Sequence, residues 1–225
     1  MSFNFSPKIV TNGLTVYHDV ANVKCYSGSG TSILDLIDYT NGILTSGTSV
    51  SNGVLVFDGI NDYVNLGSGS TVDVVNNFTF EIWFNTNTIS TATTIFSKAE
   101  TGSYNCDLNL FASGLNFSGF IAGQYRTVTN PLVNYTINQW YHMSATYDNV
   151  NMRLYSNGVL VNSLPITGNI TNTTVPLFLG ANPQTDGNHV QFFNGSLALF
   201  KIYNRVLSAS EIAQNYNAMR KRFGV

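Results

Sequence analysis

The hydrophobic residues of this chain recur in short alternating bursts separated by Gly, Asn, Ser and Asp, the pattern of β-strands joined by turns. The sharpest burst is Phe78-Thr79-Phe80-Glu81-Ile82-Trp83-Phe84-Asn85. Strand side chains alternate between faces, so Phe78, Phe80, Ile82 and Phe84 share one face, and that face is core. Burying each of them contributes about 1.5–3 kcal/mol before entropy is subtracted, so this strand anchors a sheet. Glu81 falls on the opposite face, toward solvent or a concave groove. Further strands are expected at 14–17, 54–57, 63–66, 94–98, 108–111, 116–121, 140–147, 152–155, 159–162, 177–179 and 196–203. Ser156-Asn157-Gly158 predicts a hairpin, because Asn-Gly supplies the positive φ angles of a tight primed turn. About a dozen strands with no helix between them exclude a parallel α/β arrangement and leave an all-β fold of two stacked antiparallel sheets.

One helix is expected, at the C-terminus over 208–223. Ser208-Ala209-Ser210-Glu211 has capping-box spacing, and Ile212, Tyr216 and Met219 follow as one apolar stripe to lay on the sandwich. Arg220, Lys221 and Arg222 fall in its final turn, where cations complement the helix dipole; that role is simpler than phosphate binding. No linker, charge block or repeat divides the chain, so 1–225 is expected to be a single domain. The stretch 27–32, Ser and Gly with one Thr, reads as a surface loop.

Composition narrows the partners. Only 10% of residues are charged, against roughly a quarter in ordinary globular proteins. Ten basic residues against twelve acidic ones, mostly scattered, attract neither nucleic acid nor an anionic membrane. No stretch is apolar enough to span a bilayer, and Met1–Lys8 carries no signal-like run, so production in a cytoplasm is expected. Cys25 and Cys106 are too few for a disulfide framework and read as buried free thiols. His18, His142 and His189 stand alone, without HExxH or GxSxG neighbours.

The ordered segments resemble the laminin G-like, concanavalin A-like jelly rolls, of the type found among tailed-bacteriophage structural proteins. The opening from Ser6 to Leu14, then Tyr17-His18-Asp19, Ala21-Asn22 and Tyr26–Thr31, is similar to the start of such phage proteins. Phe57-Asp58-Gly59-Ile60-Asn61-Asp62-Tyr63-Val64 and the burst 78–84 follow in the family's order. The second half adds 139–148, 153–160, Phe193-Asn194-Gly195-Ser196-Leu197 and 202–212. The resemblance implies a two-sheet antiparallel jelly-roll sandwich with a short C-terminal helix. It also implies a non-enzymatic virion component of capsid, tail or fibre, in symmetric multi-copy contact with other virion proteins. Many relatives carry an acidic pair where this chain has Ala198 and Leu199, which removes oxygen ligands that calcium would need.

Three chemistries compete with a purely structural role. Asp58 and Asp62 could supply calcium oxygens, but an Asx-type turn is the simpler reading, and no cofactor is expected. Glycoside hydrolysis needs two facing carboxylates. Glu81, Glu100 and Glu211 each lack an acid two or four residues away, so no catalytic residue is assigned and an enzyme is not expected. A lectin-like module for host-surface glycans is the serious alternative. Sugars take aromatic faces and planar amides, and loops on a rigid sandwich carry such sites. The loops expected at 101–106, 125–136 and 182–188 nominate Tyr104, Tyr125, Arg126, Tyr135, Asn182, Gln184, Asp186 and Asn188 as glycan or partner contacts.

Overall fold

A computed structural model describes residues 7–37, 40–89, 92–100, 103–130, 135–184 and 186–225. The expectation for the first six residues, and parts of the nominated loops at 101–102, 131–134 and 185, fall outside the described residues, as does the side chain of Glu100. The strands in chain order are β1 Leu14–Asp19, β2 Ser32–Ile33, β3 Gly42–Thr45, β4 Ser49–Ser51, β5 Val54–Asp58 and β6 Tyr63–Asn65. Next come β7 Phe78–Thr86, β8 Thr93–Glu100, β9 Ser103–Phe111, β10 Gly114–Ile121, β11 Gln124–Asn130 and β12 Trp140–Tyr147. The chain closes with β13 Asn151–Ser156, β14 Val159–Pro165, β15 Phe178–Leu179, β16 Asn182–Pro183, β17 His189–Val190, β18 Asn194–Tyr203 and the helix α1 Ala209–Met219.

Among the described residues all pairings are antiparallel, in two eight-stranded sheets and one small hairpin, β16 with β17. The first sheet runs β14-β13-β12-β7-β18-β5-β4. Its strand β18 is shared: Asn194–Leu197 pair with β5, and Leu199–Tyr203 pair with β1. The second sheet runs β11-β10-β9-β8-β15-β6-β3-β2. Phe78, Phe80, Ile82 and Phe84 point into the space between the sheets as expected, where Phe80 meets Phe96 at 4.7 Å and Phe78 meets Phe117 at 6.3 Å. The Asn157-Gly158 hairpin is present, with φ of 48° and 81°. Among the described residues no helix is long and apolar enough to cross a membrane. Cys25 and Cys106 are buried free thiols.

The capping box forms as its spacing requires: Glu211 N–H donates to Ser208 Oγ, and Ser208 N–H donates to Glu211 Oε2 at 2.8 Å. Ile212 is buried, and Tyr216 and Met219 pack over Trp83, Ala198 and Leu199. The apolar pair Ala198 and Leu199 is therefore part of the seat of the helix. The helix is shorter than expected, ending at Met219, and the basic cluster lies in a following 3₁₀ turn, Arg220–Phe223. There Arg222 is tied to both carboxylate oxygens of Asp19 at 2.9 Å and to the Gly53 carbonyl at 3.1 Å, a structural clasp.

Two expectations are corrected. Glu81 does not face solvent or a groove, because α1 and the 3₁₀ turn cover the outer face of the first sheet and leave it 2% exposed. The nominated loops are largely strand: Tyr104 lies in β9, Tyr125 and Arg126 lie in β11, and Asn182 begins the β16–β17 hairpin. Strand β11 escaped the pattern because Gln-Tyr-Arg-Thr-Val-Thr-Asn is an edge strand with one fully buried apolar side chain, Val128.

Candidate functional site

The two outer faces differ in kind. Under α1, Glu81 accepts from Lys201 Nζ at 3.0 Å and Asn215 Nδ2 at 2.8 Å on Oε2, and from Ser144 Oγ at 3.3 Å on Oε1. His142 Nε2 stands 3.7 Å from Oε1. Burial opposes the Glu81 charge, but Lys201, His142 and Asn215 outweigh it and carry the carboxyl down to about 2. Sealed beneath aromatic residues, with Trp83 and Phe223 stacked at 4.2 Å, this face is closed to a ligand.

The outer face of the second sheet is polar and partly open. On β9, Cys106, Leu108 and Leu110 enter the core, which turns the alternate residues Asp107 and Asn109 outward. Register extends these into two cross-strand rows. Ser97, Asp107, Ser118 and Thr127 form one; Thr94, Asn109, Asn116 and Thr129 form the other. The hairpin β16–β17 flanks the rows on the β8 side: Thr94 N–H donates to the Gln191 carbonyl at 2.8 Å, and His189 stacks on Tyr63 at 4.3 Å. On the other flank the rings of Tyr104, Phe120 and Tyr125 meet, at 5.9 Å for Tyr104 with Phe120 and 5.8 Å for Tyr104 with Tyr125.

Asp107 is the centre of this face. Tyr125 donates its hydroxyl to Asp107 Oδ2 at 2.5 Å, while the residue as a whole remains 46% exposed. Burial pushes the Asp107 carboxyl up to about 6, against the Tyr125 hydrogen bond and the nearby polar groups of Ser118 and Asn109, which favour its charge. Burial and the Asp107 charge also push the Tyr125 hydroxyl upward, so it stays a donor. Asp107 Oδ1, beside Ser118 and Asn109, makes no well-formed hydrogen bond, and neither does Asn116 Oδ1 in the next row. Two shielded acceptors on one face therefore await donors. Thr94 Oγ1 donates to Asn109 Oδ1 at 2.7 Å, and the amides of Asn182 and Gln191 touch at 3.1 Å along the rim.

The nominated residues divide accordingly. Tyr104, Tyr125 and Asn182 converge on this face. Arg126 alternates away from Tyr125 and donates to Gln124, so it is not part of the face. Tyr135 is only 5% exposed, packed against Tyr141 at 4.8 Å and Phe84 at 5.7 Å, and is a core residue. Gln184, Asp186 and Asn188 shape the hairpin tip: Gln184 N–H donates to the Asn188 carbonyl, and Asn188 donates to both Asp186 oxygens, at 3.0 and 2.8 Å. Asp58 and Asp62 close a turn on themselves, with Ile60 N–H on Asp58 at 2.7 Å and Asp58 N–H on Asp62 at 2.9 Å. The residues missed are Asp107, Asn109, Asn116, Thr94 and Gln191. Part of that signal was legible, since Asn105-Cys106-Asp107-Leu108-Asn109 alternates polar with apolar. The partners of Asp107 at the alternate β9 positions are amides, and an amide can neither protonate a leaving group nor attack as a carboxylate does. Asn105 itself is consumed internally, donating to the Val74 and Thr171 carbonyls at 2.9 and 2.8 Å.

Known structures share this architecture. The binding domain of Paraclostridial Mosquitocidal Protein 1 superposes with a TM-score of 0.72 at 18% identity, over 92% of this chain and 52% of that one. The binding domain of botulinum neurotoxin DC, solved in complex with rat synaptotagmin II, gives 0.70 at 13% identity, again over 92% and 52%. The chain thus spans about half the length of these toxin binding domains. Domain 4 of AbnA, an extracellular arabinanase from Geobacillus stearothermophilus solved in complex with arabinotriose, matches over 90% of this chain and 98% of its own length, with a TM-score of 0.63 and 19% identity. No curated protein matches the sequence. These likenesses establish the fold. A family model described as the Concanavalin A-like lectin/glucanases superfamily matches residues 57–213, more than half of the sequence, and the chain belongs to that family.

Proposed function

We propose that the chain is a non-catalytic binding module, acting as one unit over 1–225, that takes a neutral glycan on the outer face of the second sheet. The observation that carries this reading is the pair of shielded acceptors on one face, Asp107 Oδ1 next to the half-exposed Tyr125 and Asn116 Oδ1 further along the same sheet, opposite Thr129. Sugar hydroxyls are donors that such acceptors can take, and a sugar's C–H face suits an aromatic ring. The arabinotriose complex of a structurally similar domain supports the same class of ligand. Calorimetric titration against a panel of neutral and acidic oligosaccharides tests it. Saturable binding to a neutral member is expected, weakened about tenfold or more by Tyr125→Ala or Asn116→Ala, a loss of about 1.4 kcal/mol each. Binding that ignores both changes, or none across the panel, overturns the reading.

The phage-like segments from Ser6 to Thr31 and over 202–212 favour a compatible second reading, of where the module works: mounted in several copies on a tailed-phage particle made in a bacterial cytoplasm. Its low charge and wealth of small polar residues suit a particle surface. Mass spectrometry of purified particles should find the chain in multiple copies; particles lacking it overturn this placement.

A further inference from the structure

The polar set beneath α1 brings together the parts of an acyl-transfer reaction. Glu81, Lys201 and Asn215 are 2%, 1% and 0% exposed. Lys201 Nζ and Asn215 Nδ2 both contact one oxygen, Glu81 Oε2, at 3.0 and 2.8 Å. An amine and a carboxamide thus flank a single carboxylate oxygen in a site closed to water. The acyl oxygen, Asn215 Oδ1, accepts the Val10 N–H at 2.7 Å, so a donor already points to where negative charge would gather on addition. Tyr203 holds the amide from its other side: its hydroxyl accepts from Asn215 Nδ2 at 3.0 Å and donates to the Val10 carbonyl at 3.0 Å. Nucleophile, acyl group, proton carrier and oxyanion donor are four elements of covalent catalysis, held here by packing.

We propose that Lys201 and Asn215 become joined by an amide cross-link, formed once after folding, with Glu81 as the proton carrier. Lys201 Nζ gives a proton to Glu81 Oε2 and becomes a neutral amine. Its lone pair attacks Asn215 Cγ, and the carbonyl electrons move onto Oδ1 against the Val10 N–H. Glu81 passes its proton to Nδ2 and takes one from Nζ, the Cγ–Nδ2 bond breaks, and the nitrogen leaves as ammonia. The balance is one ammonium side chain and one carboxamide converted to one secondary amide and one ammonium ion, with no oxidant or cofactor. The resting pair is ionic, so the neutral pair is a minor population. Loss of ammonia cannot be reversed in dilute solution, and a single slow turnover therefore accumulates over the life of the fold.

The bond would tie β18 to α1 covalently, so the helix could not peel from the sheet. High-resolution intact mass of the full chain tests the proposal without any variant. A mass about 17 Da below that of the sequence is expected, the weight of one ammonia. Proteolysis should give a branched peptide joining the Lys201 and Asn215 segments, and Glu81→Gln and Asn215→Ala should restore the sequence mass. A wild-type chain at full sequence mass, with the two peptides separate, overturns it. So does a deficit that maps to a succinimide at an Asn-Gly pair such as Asn52-Gly53.

Discussion

Trp83→Ala is expected to lower stability by about 3–5 kcal/mol, the range for emptying a buried tryptophan site. Trp83 sits between the first sheet and the C-terminal segment, nearly parallel to Phe223 at 4.2 Å and to Tyr216 at 5.8 Å, with His142 at 5.2 Å. Alanine would open a void under the helix that its neighbours cannot fill, because they are fixed to different elements. In a chain of this length the midpoint of thermal unfolding should fall by roughly 10 °C. Trp83→Phe should cost far less. The indole N–H is buried without an acceptor, so losing it offsets part of the lost contact. Urea unfolding of the two variants checks this, and a loss below about 1 kcal/mol for alanine would show that the helix does not depend on this contact.

Asp107→Asn should act in the opposite direction on stability. The Asp107 carboxyl is raised from 3.8 to about 6 by burial. Between those values the folded chain keeps a proton that the unfolded chain has lost, so stability falls as pH rises and the full penalty is present above pH 6. Two units correspond to about 3 kcal/mol, an upper bound for what the substitution can return at pH 7.5. The variant should therefore melt higher at neutral pH and show a flatter profile between pH 4 and 7. Glycan binding should fall at the same time. An amide has one oxygen, which Tyr125 occupies, and it presents an NH₂ where the carboxylate presented an acceptor. A gain in stability joined to a loss of binding marks a residue kept for recognition; a loss of both would place Asp107 among ordinary structural residues.

Much of the fold was legible because its cues are local. Alternation in 78–84 fixes a core face, Asn157-Gly158 fixes a hairpin, and Ser208 with Glu211 fixes a helix start, each within a few residues. The burial of Glu81 was not legible, since its cover is supplied by residues more than a hundred positions later, and alternation alone assigns an outward side chain to water. The proposed binding face was legible only in part. Asp107 and Asn109 share a strand, but Thr94, Asn116, Tyr125 and Gln191 come from four other segments, and only cross-strand register sets them side by side. Tyr135 failed as a contact for the converse reason: a tyrosine in a polar stretch looks available until Phe84 and Tyr141 close over it.

Strand β18 lies between β7 on one edge and both β5 and β1 on the other. During synthesis the early strands of that sheet emerge with a gap at the centre: β4 can pair with β5, and β7 with β12, but the two halves cannot join, nor β1 find its partner, until residues near 203 leave the ribosome. Until that moment β5 and β7 offer bare edges to any other nascent copy, which makes translation speed and crowding, rather than final stability, the quantities that decide how much of the protein reaches its native form.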